Sequence, residues 1–276
     1  MAFRSKTVTL ASGIDLHYVE SGDRSGVPLL LLHGYTDSWR SFQLLLEALP
    51  AGLRVLAVSQ RGHGDSDKPR SGYDTGVLAA DVAAFMDAIG IGSAVIAGHS
   101  MGSQVALRFA IDHPQRTRGL VLLGAFTTLK GNPEVEALWY QGVATLNDPV
   151  DPAFVRKFQQ STLARPVPPE FFASVLAESL KVPAYVWRSA LRGQMEGDVS
   201  PVVAAISAPT LVLWGDRDGI AARSQQEAIA SAIPGARMIT YAGTGHNPHW
   251  EEPLRAAADI TAFLHRIAAP DSRLVA

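Results

Sequence analysis

Ala94-Val95-Ile96-Ala97-Gly98-His99-Ser100-Met101-Gly102 is the stretch on which the reading of this chain turns. Its first four residues are an apolar run of the kind that predicts a strand buried on both faces. A helical pattern, Met101 to Asp112, begins directly after Ser100. A serine on so sharp a strand-to-helix turn projects its hydroxyl above the sheet. Gly98 and Gly102 complete G-x-S-x-G, whose outer positions need glycine because side chains there collide with neighbouring backbone. The helix N-terminus beneath the serine favours developing negative charge.

Working outward, Leu29 to Leu32 and Val55 to Val58 read as further buried strands. Helical periodicity covers Ser41 to Leu49, and Ala79 to Ile89, where Val82, Phe85, Met86 and Ile89 fall at i, i+3, i+4 and i+7. After α-helical Met101 to Asp112 come strand Leu120 to Leu123, strand Thr210 to Trp214, helix Ser224 to Ala232, strand Arg237 to Tyr241 and helix Pro253 to Ile267. This alternation predicts an α/β fold with a doubly wound, mostly parallel sheet and helices on both faces. Thr7 to Leu10 and Ile14 to Glu20, joined at Ser12-Gly13, predict an antiparallel hairpin on the sheet edge.

Between Thr127 and Ser200 the alternation stops, and prolines such as Pro133, Pro152, Pro169 and Pro183 punctuate amphipathic pieces. The pattern predicts a helical cap, residues 127–200, inserted into a core made of 1–126 and 201–276. Its aromatic rings either hold a helical layer together or line an apolar pocket. Phe126, Trp139, Tyr140 and Trp187 are the pocket candidates. Pro270 to Ala276 are expected to fray.

The 276 residues carry 24 Lys plus Arg against 26 Asp plus Glu, a formal charge of -2, which excludes the basic footprint of a nucleic-acid or anionic-membrane partner. With no cysteine there is no disulfide, thiol nucleophile or thiolate metal ligand. No H-E-x-x-H, G-x-G-x-x-G or Walker-type lysine motif occurs, so neither a metal nor a cofactor is expected. Met1 to Thr9 lack the continuous apolar stretch of a signal peptide, which makes a cytoplasmic location the expectation.

A serine hydroxyl is a weak nucleophile and needs a base, itself held by a third group. Trp214-Gly215-Asp216-Arg217-Asp218 and Gly243-Thr244-Gly245-His246 each follow a predicted strand and offer both. Asp218 and Asp216 compete for the orienting role, and His249 is the rival base. His33, His63 and His99 have structural readings in tight turns, while His17, His113 and His265 fall on predicted surfaces.

With His33-Gly34 and Arg61-Gly62-His63-Gly64-Asp65-Ser66 added to these motifs, in this order over nearly the whole length, the chain resembles the α/β-hydrolase superfamily in its esterase or lipase-like branch with a helical lid. The resemblance implies Ser100 as nucleophile, His246 as general base and then acid, and Asp218, the fourth residue of G-x-x-D, as the orienting carboxylate. Asp216 then becomes a loop hydrogen-bonder. It also implies an oxyanion hole from the backbone N–H groups of Tyr35 and Met101. A single glycine follows His33, which argues against esters of bulky tertiary alcohols.

The implied reaction is cleavage of carboxylic esters of small to medium apolar substrates through an acyl-enzyme, with no cofactor. A serine at the nucleophile position argues against dehalogenase and epoxide hydrolase chemistry, which use Asp there. Lactones, carbon-carbon bond hydrolysis and cofactor-free perhydrolase or haloperoxidase chemistry fit the same triad. A small-molecule receptor with an idle pocket is the non-enzymatic alternative, and the three filled triad positions argue against it.

Overall fold

In the computed structural model, which describes residues 3–268, eight strands make one sheet. They are β1 (Arg4–Thr9), β2 (Asp15–Gly22), β3 (Pro28–Leu32), β4 (Arg54–Val58), β5 (Ala94–His99), β6 (Thr117–Leu123), β7 (Thr210–Gly215) and β8 (Arg237–Tyr241). Their order is β1-β2-β4-β3-β5-β6-β7-β8; β1 to β2 and β2 to β4 pair antiparallel and all other neighbours are parallel. The expected edge hairpin is thus β1 and β2. The expectation for Pro270 to Ala276 lies outside the described residues.

Two apolar layers explain why the inner strands read as continuous hydrophobic runs. Leu30, Leu32, Ile96, Leu120 and Leu122 face one way, onto α2 (Thr75–Ala88) and α3 (Met101–Asp112). Leu29, Leu31, Val95, Val121 and Leu123 face the other, onto α1 (Gln43–Ala48) and the terminal helix Pro253–Ala268. Each fully buried side chain of this kind contributes about 1.5–3 kcal/mol.

Two helices differ from the periodicity at their starts. The run expected from Ser41 begins as a 3-10 turn, Trp39–Phe42, because the Ser38 hydroxyl caps the Arg40 N–H at 3.2 Å. The second helix starts four residues earlier than its apolar stripe, at Thr75, because Asp74 caps the Val77 N–H at 3.0 Å. His17, expected on a surface, is instead buried, with its Nε2 2.8 Å from Ser5 Oγ on the neighbouring edge strand.

Between β6 and β7 lie α4 (Pro133–Gln141), α5 (Pro152–Ser161), α6 (Pro169–Leu180) and α7 (Ala184–Glu196). The prolines that interrupt the sequence are helix starts here. Pro133, Pro152 and Pro169 occupy the first helical position, where a missing N–H costs nothing. An isolated antiparallel bridge, Thr128 to Asp198, joins the two ends of this segment. The remaining helices are α8 (Arg223–Ala232), α9 (Pro248–Glu251) and α10 (Pro253–Ala268). Among the described residues no helix is long and apolar enough to cross a membrane.

Candidate active site

Ser100 occupies the turn between β5 and α3 with φ 52° and ψ −116°. That left-handed backbone costs on the order of 1–3 kcal/mol in a non-glycine residue and persists because its surroundings hold it. The glycines beside it are obligatory. A Cβ on Gly98 would sit 2.1 Å from the Gly102 carbonyl oxygen, and one on Gly102 would sit 2.1 Å from that of Leu32.

The loops after β7 and β8 bring Asp218 and His246 together, with His246 Nδ1 2.8 Å from Asp218 Oδ2. The other carboxylate oxygen accepts the N–H groups of Ile220 at 2.8 Å and Ala221 at 2.9 Å, which fixes the carboxyl plane. An N–H at Nδ1 leaves the lone pair at Nε2, and this buried nitrogen has no hydrogen-bond partner. Asp216 does not reach the imidazole. It accepts the Gly243 N–H at 2.6 Å and ties the β7 loop to the β8 loop.

After β3, the chain turns through His33-Gly34-Tyr35, and both nitrogens of His33 are used within the turn region. Nδ1 donates to the Gly34 carbonyl at 2.8 Å and Nε2 accepts the Gln60 N–H at 2.9 Å. Thr36 follows at φ 62°. Among the described residues, the backbone N–H groups of Tyr35 and Met101 donate to no other group of the chain. His63 bonds the Arg61 carbonyl through Nδ1 at 2.8 Å, and Arg61 pairs through two N–H groups with Asp81 of α2, so that motif is a braced loop.

His249 does not line the cavity; its Nε2 lies 3.2 Å from Ser41 Oγ, and burial drives its pKa down to about 3. His99 donates through Nε2 to the His246 carbonyl at 3.1 Å and packs, tilted, against His246 and His249, with ring centroids 5.0 and 4.5 Å away. Burial holds it well below the ordinary imidazole range, reinforced by its two histidine neighbours.

Ser100 and His246 share a cavity of about 480 Å³ with Tyr35 and Phe126. Leu129, Val135, Leu138, Leu191 and Ile220 give it an apolar side. Of the four pocket candidates only Phe126 is in the wall. Tyr140 is 74% exposed, on the outer face of α4. Trp139 carries the Arg192 guanidinium over its ring, 5.2 Å from the centroid. Trp187 is fully buried behind the cavity, edge-on to Tyr35, Phe154 and Phe158, and its carbonyl accepts the Tyr35 hydroxyl at 2.6 Å. The aromatic spacing gives rings for a layer, and the tertiary packing turns three of them away from the opening.

A hydrogen-bonded strip runs round the opposite side of the site. Asp37 Oδ1 accepts Gln159 Nε2 at 3.0 Å; the Gln159 carbonyl accepts the Thr162 hydroxyl at 2.8 Å; Thr162 Oγ1 accepts Asn247 Nδ2 at 2.6 Å. The Thr162 carbonyl accepts the His246 N–H at 2.9 Å. One turn of α5 therefore touches both the loop of Tyr35 and the loop of His246. Burial pushes the Asp37 carboxyl up to about 7, against the opposing pull of Gln159, Ser41 and His246. Sequence reasoning missed these four residues. Asp37 stands two residues beyond Tyr35 in the same turn, which is a local signal; Gln159 and Thr162 acquire their places only when α5 docks. Among the described residues no group of His, Asp and Glu is arranged to hold a metal ion.

A family model of the alpha/beta hydrolase fold matches residues 27–253. The AB hydrolase superfamily protein YisY of Bacillus subtilis (strain 168) is 28% identical over 253 residues, covering 86% of this chain and 91% of its own length. Lipase 3 of Moraxella sp. (strain TA144) is 27% identical over 275 residues, covering 94% of this chain and 84% of its own length. A thermophilic esterase from Thermogutta terrifontis, solved with malate bound, superposes with a TM-score of 0.84 at 26% identity, over 96% of this chain and 100% of that one. The chain belongs to the alpha/beta hydrolase family.

Proposed function

We propose that this protein cleaves carboxylic esters of small to medium apolar substrates through an acyl-enzyme on Ser100. The observation that carries the reading is the His246 Nδ1 to Asp218 Oδ2 pairing at 2.8 Å in the wall of the cavity that also holds Ser100. The lipase and esterase relatives support it.

Ser100 Oγ attacks the ester carbonyl as His246 Nε2 takes its proton, and Asp218 stabilises the imidazolium without itself being protonated. The tetrahedral oxyanion is met by the free N–H groups of Tyr35 and Met101, each worth about 2.7–4 kcal/mol. His246 then returns the proton to the departing alcohol, and water repeats the sequence to release the acid. The Nε2 to Oγ contact tightens as substrate binds, as is common where the unliganded site leaves catalytic hydrogen bonds unmade. Helices α4 to α7 act as the cap over this site.

Purified protein is expected to turn over p-nitrophenyl butyrate repeatedly. Ser100→Ala should remain folded, lose kcat by about 10⁶ and no longer be labelled by an organophosphonate. Activity within about tenfold of wild type in that variant would remove Ser100 from the role.

A further inference from the structure

Asp37 is 3% exposed and Gln159 2%, and both line the cavity that holds Ser100 and His246. A carboxyl buried to this degree ordinarily sits beside a cation. Here the neighbours that act on it are Gln159, Ser41 and His246, with no Lys or Arg among them. The Gln159 amide nitrogen is fully engaged, donating to Asp37 Oδ1 at 3.0 Å and to Ser179 Oγ at 2.9 Å. Its carbonyl oxygen, Oε1, accepts nothing from the chain among the described residues and is the amide's open position. Ser179 in turn donates to the Val175 carbonyl at 3.1 Å, which fixes the orientation of the amide.

The wall thus offers an acceptor beside a carboxyl that donates when protonated and accepts when ionised. A hydroxyl, which both gives and receives a hydrogen bond, is the smallest complement to that pair. A plain alkyl group placed there would leave Gln159 Oε1 without a partner and offer nothing to the Asp37 carboxyl beyond the bond it already has from Gln159.

We propose that Asp37 and Gln159 form a polar subsite for a hydroxyl group carried by the substrate close to its ester, so that hydroxy-substituted esters are preferred over alkyl esters of the same size. This inference rests on the ester-hydrolase reading and adds a substrate class to it. It assigns Asp37 and Gln159 a specificity role and no part in bond breaking.

Two matched pairs test it, one for each arm of the ester: 2-hydroxyethyl butyrate against propyl butyrate, and methyl 3-hydroxybutyrate against methyl 3-methylbutyrate. Within each pair a hydroxyl replaces a methyl group. The wild-type protein should favour the hydroxy ester by about tenfold or more in kcat/KM in at least one pair. Asp37→Leu and Gln159→Leu should bring that ratio close to one, and Asp37→Asn, which keeps a hydrogen-bonding head, should retain part of it. If Asp37→Leu fails to fold, the wild-type ratio and Gln159→Leu decide. Ratios within about twofold of one for the wild type in both pairs, or variants that slow both esters equally and keep the wild-type ratio, overturn the subsite. Absence of turnover on every ester, p-nitrophenyl butyrate included, overturns instead the hydrolase reading beneath it.

Discussion

The backbone carbonyl of Thr162, the residue that caps the C-terminus of α5, accepts the backbone N–H of His246 at 2.9 Å. A helix inserted between β6 and β7 therefore helps to hold the loop after β8, and with it the ring that shares a cavity with Ser100. The inserted segment therefore does more than line the cavity. Its Thr162 side chain adds a second hold, accepting Asn247 Nδ2 at 2.6 Å.

Thr162→Val removes that acceptor and leaves the buried Asn247 amide with only a long bond, 3.4 Å, to the Thr162 carbonyl. The His246 loop should loosen, lowering kcat by about tenfold while KM moves little, since a poorly satisfied buried donor costs about 1–3 kcal/mol. Thr162→Ser keeps the oxygen and should recover the wild-type rate. Equal kcat in Thr162→Val and wild type would show that the backbone bond alone suffices.

The two carboxylates near His246 separate cleanly. Asp218→Asn should reduce kcat by about 10⁴, because an amide in its place favours the wrong imidazole tautomer. Asp216→Asn alters the bond to the Gly243 N–H, at 2.6 Å in the parent, and an exposed 3.9 Å pairing with Arg217, and should leave kcat nearly unchanged while lowering the melting temperature slightly. Steady-state kinetics of the two variants side by side are the check, and the reverse ranking would move the orienting role to Asp216.

Phe126 lines the cavity, whereas Tyr140 is 74% exposed on α4. Phe126→Ala should shift the preferred acyl chain to a longer one, a single methylene in such a pocket changing kcat/KM by roughly 10- to 200-fold. Tyr140→Ala should keep the parent profile. A series from acetate to octanoate, with thermal melting alongside, reads both outcomes, and an unchanged profile in Phe126→Ala would take this ring out of acyl selection.

Four buried histidines make the fold sensitive to acid. Burial drives His249 down to about 3 and His63 to about 4, and holds His33 and His99 well below the ordinary range. In the unfolded chain all four titrate near 6.5. The unfolded state then binds protons that the folded state refuses, so their contribution to stability is complete above about pH 6.5 and falls as pH drops toward 4 for His63 and 3 for His249, by on the order of 1 kcal/mol per pH unit for each. The melting temperature should decline steeply between about pH 7 and about pH 5; a flat profile would mean that these rings accept protons without unfolding.

What was legible in the sequence follows from the range of the forces involved. Strands β3 to β6 announce themselves because both faces are covered, so Leu29 to Leu32 can be apolar without interruption. The Ser100 turn is legible because Gly98 and Gly102 admit no other side chain at those positions. Asp37, Gln159 and Thr162 carry no such local mark. Their importance lies in what docks against them, and no periodicity distinguishes a glutamine on the buried side of a helix from one on its exposed side. The same reasoning explains Trp187: a tryptophan on an amphipathic helix points toward apolar surroundings, and here these are Tyr35, Phe154 and Phe158 rather than the opening.

The bridge between Thr128 and Asp198 gives the inserted helices a narrow neck, entering and leaving the sheet side by side. Such a segment is exchangeable in principle, since a different set of helices with the same end spacing would leave every strand where it is. The bonds described above set the terms of any exchange. A replacement must present a carbonyl to the His246 amide to keep the β8 loop in place, and a donor to Asp37 to keep the polar wall of the cavity. Chimaeras in this family that fold well yet fail to turn over substrate would trace to that missing carbonyl sooner than to the shape of the new roof.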